Sequence, residues 1–141
     1  MYPTLGYVYS PIKKLLYVGG LNNNSFKIKG PNIFELSVSP PNDPIRIVAS
    51  RNHLNEETQK FISQFKKHVL LQSGSSIKFC MIAEGSADIY PRFAPTSEWD
   101  TAAAQAIVEG AGGSVKDQKG QRLIYQKENI LNPFFIVRGK E

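Results

Sequence analysis

The chain opens with short runs of apolar, mostly β-branched and aromatic residues separated by polar turns, the pattern of strands. Leu5–Ser10 and Leu15–Gly19 predict two strands joined by a Pro11-Ile12-Lys13-Lys14 turn, a hairpin rich in β-branched and aromatic residues. Gly20 to Ser25 reads as a polar loop, and Phe26–Lys29 and Phe34–Val38 predict two more short strands. Pro40-Pro41-Asn42-Asp43-Pro44 then breaks any regular pattern. A subdomain boundary is expected there, between residues 1–44 and residues 45–141.

Beyond the boundary the pattern changes. Arg46–Ser50 predicts a short apolar strand that feeds a helix over Glu56–Lys67, with Asn55 as N-cap and Leu54, Phe61 and Phe65 on the apolar face. Val69–Leu71 is the expected next parallel strand. Ser75 or Ser76 can cap a helix that runs through Ala83 and stops at Gly85. Ala87–Tyr90 predicts a strand, and Trp99–Glu109 a helix ending in Gly110-Ala111-Gly112-Gly113. Strands near Ser114–Lys116 and Phe134–Val137, with a hairpin-like stretch at Gly120–Tyr125, complete the pattern. Strand–helix alternation after residue 44 argues a layered α/β fold.

At 141 residues the chain is long enough for one domain with a real core. Its formal net charge of +5 permits an acidic ligand, but the lysines and arginines are scattered. Lys13-Lys14 and Lys66-Lys67 are only pairs, without interleaved aromatics, so no nucleic-acid partner is expected. Cys80 is the single cysteine, which excludes an intrachain disulfide and a thiolate zinc cluster. Among Phe79, Met81 and Ile82 it reads as a small buried hydrophobe. No signal peptide precedes the first strand, and no apolar run approaches the ~20 residues of a transmembrane segment. A cytoplasmic location follows as the expectation.

The helix over Trp99–Glu109 concentrates the candidate chemistry. Asp100 falls in its expected first turn, where the macrodipole favours a carboxylate and free N–H groups suit an anion such as phosphate. Ala102, Ala103 and Ala106 keep the helix slim, while Trp99 and Ile107 supply bulk for a packed face. A capped, Ala-rich core helix accounts for the same residues. Ser75 and Lys78 are three apart at a helix start and share a face, as a ligand-binding pair or as a cap beside a solvated lysine. Arg92, between Pro91 and Phe93, can hold a phosphate bidentately. Gly110-Ala111-Gly112-Gly113 follows a helix instead of preceding one, so it is a C-cap and not a dinucleotide fingerprint. Neither a Ser-His-Asp spacing nor a His-Glu-x-x-His motif is present, and His68 reads as an exposed helix-end residue.

Several collinear pieces carry a resemblance: Gly6-Tyr7-Val8-Tyr9-Ser10-Pro11, Ser50-Arg51-Asn52-His53, Gly74-Ser75-Ser76-Ile77-Lys78-Phe79-Cys80, Ala83-Glu84-Gly85, Tyr90-Pro91-Arg92-Phe93, Pro95-Thr96, Trp99-Asp100-Thr101-Ala102-Ala103 and Leu131-Asn132-Pro133. From Leu5 almost to its end the chain resembles the C-terminal half of 3'(2'),5'-bisphosphate nucleotidases of the CysQ type, within the magnesium-dependent, lithium-sensitive inositol monophosphatase-like phosphatases. The resemblance implies the C-terminal portion of that layered α+β sandwich, with 1–44 a partial subdomain of strands from its central antiparallel sheet. It implies hydrolysis of 3'-phosphoadenosine 5'-phosphate to AMP and phosphate, a step linked to sulfate activation. Asp100 would be both a Mg2+ ligand and a substrate-site residue, and Ser75, Lys78, Arg92 and His53 would contact the adenosine 3',5'-bisphosphate.

The family's upstream glutamate and Asp-Pro-[Ile/Leu]-Asp-Gly-Thr motif have no counterpart here, since Asp43-Pro44 is followed by Ile45-Arg46. An incomplete metal site, no catalytic residue identified in this half, and a complementary N-terminal half or a homo-oligomer as partner are therefore expected. Peripheral attachment to the cytoplasmic face of the inner membrane is a variant that some relatives suggest. The competing expectations are a non-catalytic remnant or split-enzyme subunit with weak phosphonucleotide binding, and an inositol-phosphate phosphatase fragment.

Overall fold

The computed structural model describes residues 1–50 and 54–141. Four short strands come first, β1 (Gly6–Ser10), β2 (Leu15–Gly19), β3 (Ser25–Lys29) and β4 (Asn32–Leu36), paired antiparallel in chain order. β5 (Ile45–Ala49), β6 (His68–Gln72), β7 (Ile89–Arg92), β8 (Ser114–Asp117) and β9 (Phe135–Arg138) build a second sheet in the order β6-β5-β7-β9-β8. Its first three strands are parallel, and β9 is antiparallel to both β7 and β8. The connections run through α1 (Glu56–Ser63), α2 (Ile77–Ala83) and α3 (Ala102–Gly110).

The step from β5 to β6 goes one way across the sheet and the step from β6 to β7 goes back past β5. Right-handed crossovers therefore put α1 and α2 on opposite faces. α2 joins α3 between the two sheets, with α3 packed on β1, β2 and β3 on one side and on β8 on the other. The result is the layered α/β architecture that strand–helix alternation predicted. Its core is formed by Val48 from the second sheet, Phe79, Cys80 and Ile82 from α2, Ile107 and Val108 from α3, and Val115, Phe135 and Val137 from the last strands.

α3 sits unusually close to the four-stranded sheet. A Cβ on Gly6 would overlap the Ala103 carbonyl oxygen, and one on Gly110 would overlap Ser25 Oγ and the Gly20 backbone. Ser25 is fully buried and its hydroxyl donates to the Ile107 carbonyl at 2.7 Å. The opposite face of this sheet has no such cover. Register places Tyr9, Leu16, Ile28 and Ile33 in one row and Tyr7, Val18 and Phe26 in the next. Tyr7, Tyr9 and Ile33 are each about 60% exposed (61%, 60% and 66%), so the face is both apolar and open.

Three expectations need correction. The helix from Glu56 stops at Ser63 instead of Lys67, because His68 must reach the start of β6 opposite Ile45, where Ile45 N–H donates to Lys67 O. The helix expected over Trp99–Glu109 is split into a 3-10 turn, Glu98–Asp100, and α3, with Thr101 at φ −129° between them. That break leaves Asp100 just ahead of α3 and turns Trp99 outward, 71% exposed, so Trp99 adds no packed bulk. Ser75 lies at φ 51° and Ser76 is the N-cap without a side-chain bond, so neither hydroxyl caps α2. Gly120–Tyr125 does turn back on β8 in the hairpin-like way expected, through the antiparallel bridge of Lys116 with Arg122 and the bonds of Asp117 N–H to Gln121 O and Leu123 N–H to Val115 O. The Asn55 cap of α1 is present, its Oδ1 accepting from Thr58 N–H at 2.9 Å.

Gly6→Ala is expected to destabilise by about 1–3 kcal/mol or more, because the neighbour it meets is backbone that cannot rotate away. Gly74→Ala, with open space around its Cβ position and no left-handed φ, should stay within about 0.5 kcal/mol of wild type. Denaturant unfolding measures both, and equal effects would contradict the close-packing account. The open sheet face should make the 1–141 polypeptide self-associate. Light scattering that shows a monodisperse monomer would contradict this.

Candidate phosphate-ester site

The parallel strands β5, β6 and β7 end at one edge of their sheet, the place where α/β folds leave a crevice. Ser50 follows β5, the Ser73–Ser76 turn follows β6, and Arg92 closes β7. Across from them lie Thr96, Asp100 and Thr101, from the 3-10 turn before α3. A cleft of about 300 Å³ runs between these groups, lined also by Lys78. Phe79, Tyr90 and Phe135 make its aromatic lining, with Phe79 edge-on to Tyr90 at 5.3 Å. Four of the five sequence-predicted substrate residues, Ser75, Lys78, Arg92 and Asp100, thus line one cleft. His53 lies outside the described residues.

Each position has a local cause. Ser75 adopts the left-handed conformation (φ 51°), which costs a non-glycine residue about 1 kcal/mol, and such strain concentrates at functional turns. Lys78, in the first turn of α2, is 3% exposed. Its ammonium lies 5.2 Å from the centre of the Tyr90 ring and 3.4 Å from the Ser73 carbonyl oxygen. Burial, reinforced by the positive charge of Arg92, pulls its pKa down to about 8. Arg92 donates to Pro95 O at 3.4 Å, while its buried Nε–H has no partner among the described residues. Among those residues neither cation has a carboxylate within ion-pair distance. A buried ammonium and a half-buried guanidinium without a counter-charge have the chemistry to receive an anion.

Asp100 is exposed at the cleft rim, and one of its oxygens accepts from Ser97 N–H at 2.8 Å in a reciprocal capping box. The pairing fixes the carboxylate against its own turn. Glu98 anchors the same turn from outside, its carboxylate taking Lys127 Nζ at 2.6 Å and the N–H groups of Gln126 and Lys127. These bonds, the Lys127 ammonium foremost, hold its pKa down to about 2. As a magnesium ligand Asp100 offers the right oxygen chemistry. Among the described residues, however, no group of three acidic, His or Cys side chains converges on a metal position. One carboxylate alone does not make a magnesium cage.

Sequence reasoning missed the cleft's aromatic lining and its Thr96–Thr101 wall. Tyr90 was legible: it lies two residues before Arg92 on one strand, and so shares its face. Phe135 was not, because only the pairing of β9 with β7 brings it there. Cys80 is fully buried beside the site, its thiol pushed up to about 12 by burial first and by Glu84 second, and it is inert packing. His68 is exposed, as expected, but at the head of β6 and not on a helix.

Residues 1–134 match the model of the inositol monophosphatase family, and the chain belongs to that family. It is 40% identical over 136 residues to the 3'(2'),5'-bisphosphate nucleotidase CysQ of Salmonella typhimurium, covering 96% of this chain and 54% of that protein. The same-named protein of Escherichia coli K12 is 38% identical with the same coverage. The crystal structure of CysQ from Bacteroides thetaiotaomicron superposes with a TM-score of 0.88 at 39% identity, over 99% of this chain and 59% of that one. Inositol monophosphatase from Anabaena shares the fold, with a TM-score of 0.74 at 21% identity. The chain spans about half the length of the curated relatives it matches.

The buried ammonium gives the cleft a pH signature. With its folded pKa below the ordinary lysine value, Lys78 costs stability below about pH 8. That cost is relieved as the pH rises from about 8 toward the ordinary value near 10.4. Anion affinity should move oppositely, weakening above about pH 8 as the ammonium loses its proton, where a phosphate monoester is already fully ionised. Lys78→Met is expected to stabilise the fold at neutral pH, to weaken anion binding and to flatten its pH dependence. Calorimetric titration of adenosine 3',5'-bisphosphate from about pH 7 to about pH 9.5 checks this, and a flat wild-type profile would contradict it.

Proposed function

We propose that this chain is the C-terminal portion of a magnesium-dependent 3'(2'),5'-bisphosphate nucleotidase that hydrolyses 3'-phosphoadenosine 5'-phosphate to AMP and phosphate in the cytoplasm. The observation that carries the reading is the convergence of Ser75, Lys78, Arg92 and Asp100 on one cleft whose two cations lack a counter-anion among the described residues. Similarity to proteins named 3'(2'),5'-bisphosphate nucleotidase at 38–40% identity supports the nucleotide substrate over an inositol phosphate, for which the similar inositol monophosphatase structures share only the fold.

In this reading Arg92 and Lys78 neutralise phosphate charge and fix its orientation, so that the ester is held rather than merely attracted. The aromatic lining offers a sugar or base an apolar surface. Asp100 contributes one ligand to a magnesium site completed by residues from the part of the family's length that this chain does not span. Magnesium, when bound, would neutralise charge on the transferring phosphoryl group and activate water. The open Tyr7–Tyr9–Ile33 face is the surface on which that complementary half would dock, with a second copy of the chain as the competing occupant. No helix of the described residues is long and apolar enough to cross a membrane.

Two measurements test the reading. At low salt the 1–141 polypeptide should bind adenosine 3',5'-bisphosphate weakly, and Arg92→Ala should abolish binding. Binding indifferent to Arg92 and Lys78 would remove them from the site. The same polypeptide should release phosphate negligibly even with excess magnesium. Adding the N-terminal half of a CysQ relative should restore magnesium-dependent, lithium-inhibited turnover, and Asp100→Asn should then remove it by more than about 3 kcal/mol of transition-state stabilisation. Robust turnover by the polypeptide alone would overturn the shared-site reading.

A further inference from the structure

One face of α3 is both polar and buried, which hydrophobic packing does not require. Thr101, Gln105 and Glu109 recur every fourth residue and are at most 9% exposed. The Tyr125 hydroxyl lies 2.6 Å from Gln105 Oε1 and 3.0 Å from Thr101 Oγ1. A phenol has one proton and an amide oxygen can only accept, so Tyr125 donates to Gln105, while the Thr101 hydroxyl lies between the Tyr125 oxygen and the Glu98 carbonyl oxygen, 3.3 Å away, either of which can take its proton. Gln105 Nε2 donates to Glu109 Oε1 at 3.0 Å and to Leu123 O at 3.2 Å, and Arg122 closes the chain on Glu109.

The other end of the chain is Asn132, 8% exposed. Its Nδ2 donates to Ser97 O at 2.8 Å and lies 3.0 Å from Thr101 Oγ1 and 3.2 Å from Thr96 Oγ1. Its backbone N–H donates to Thr96 O at 2.9 Å. These bonds all fall on residues 96–101, the segment that carries Asp100 and walls the cleft. Its Oδ1 is buried without a partner among the described residues. An unmet buried acceptor costs stability, so a carboxamide at this position is poorly explained by stability alone. What it does supply is a fixed bond to each side of Asp100.

We propose that Asn132 and Tyr125 are positioning residues: acting through Thr101 and the Thr96–Ser97 backbone, they hold the turn that presents Asp100, Thr96 and Thr101 to the phosphate ester, without touching it themselves. Neither lines the cleft. The proposal rests on the reading of that cleft as the phosphate-ester site. Its logic is that of outer residues around a ligand site, whose loss typically weakens binding about tenfold or more while the contacting groups stay in place.

The test uses the full chain, titrated with adenosine 3',5'-bisphosphate at a temperature where thermal melts show every variant folded, together with amide hydrogen exchange at Ser97. Tyr125→Phe removes one oxygen from the network, and both it and Asn132→Ala should weaken binding about tenfold and speed exchange at Ser97. Should Asn132→Ala fail to fold, the near-isosteric Tyr125→Phe decides alone. Affinities within about twofold of wild type for Tyr125→Phe and Asn132→Ala, with binding still lost in Arg92→Ala, would overturn the positioning role and leave the cleft reading standing. A wild-type chain that binds nothing would overturn both.

Discussion

The close seating of α3 on the four-stranded sheet fixes what the rest of the molecule can do. Side chains of ordinary size would hold a helix about 10 Å from a sheet. Here Gly6 on β1 and Gly110 on α3 remove that spacing, and Ser25 ties the helix backbone to β3. The small residues on both sides make a contact that a single added methyl would disturb. α3 also packs against α2 and β8, so its place sets the distance between the Asp100 turn at its head and Lys78 on α2. The cleft is the gap that this packing leaves at the carboxyl ends of β5, β6 and β7.

Charge is handled in two different ways in the same fold. Asp88 with Arg46, and Glu109 with Arg122, are buried or half-buried pairs in which each ion meets its counter-ion and further hydrogen bonds. Their geometry satisfies the fold. Lys78 is buried and Arg92 half-buried, without such partners among the described residues, and the depressed pKa of Lys78 expresses the cost. A protein optimised only for stability would replace or pair them. Keeping them unpaired makes sense where an anionic ligand completes the arrangement, in line with the general conflict between a preorganised site and a relaxed fold.

The sheet's outer face poses a related contrast. Alternation along β1 to β4 specifies two apolar faces, whereas a sheet bordering water on one side would show polar residues there. One face is covered by α3 and the other is open, so the strands carry the pattern of a sheet covered on both faces. The chain spans about half the length of the curated relatives it matches.

Local rules were enough to make the elements legible. Runs of β-branched and aromatic residues, the Asn55 cap and the proline cluster at 40–44 act within a few residues of where they are read, so strand and helix positions followed to within a few residues. The site's motif residues were legible for the same reason, since resemblance is carried by short segments. The break at Thr101 was not, because its side chain is bonded to Asn132 and Tyr125, more than twenty residues downstream. The exposure of Trp99, the burial of Lys78 and the arrival of Phe135 at the cleft likewise depend on contacts between distant segments. Sequence singled out the candidate residues. Only the packing of α2 and α3 between the two sheets decided which of them share a cleft, because burial and mutual distance are properties of the assembled layers and of no single segment.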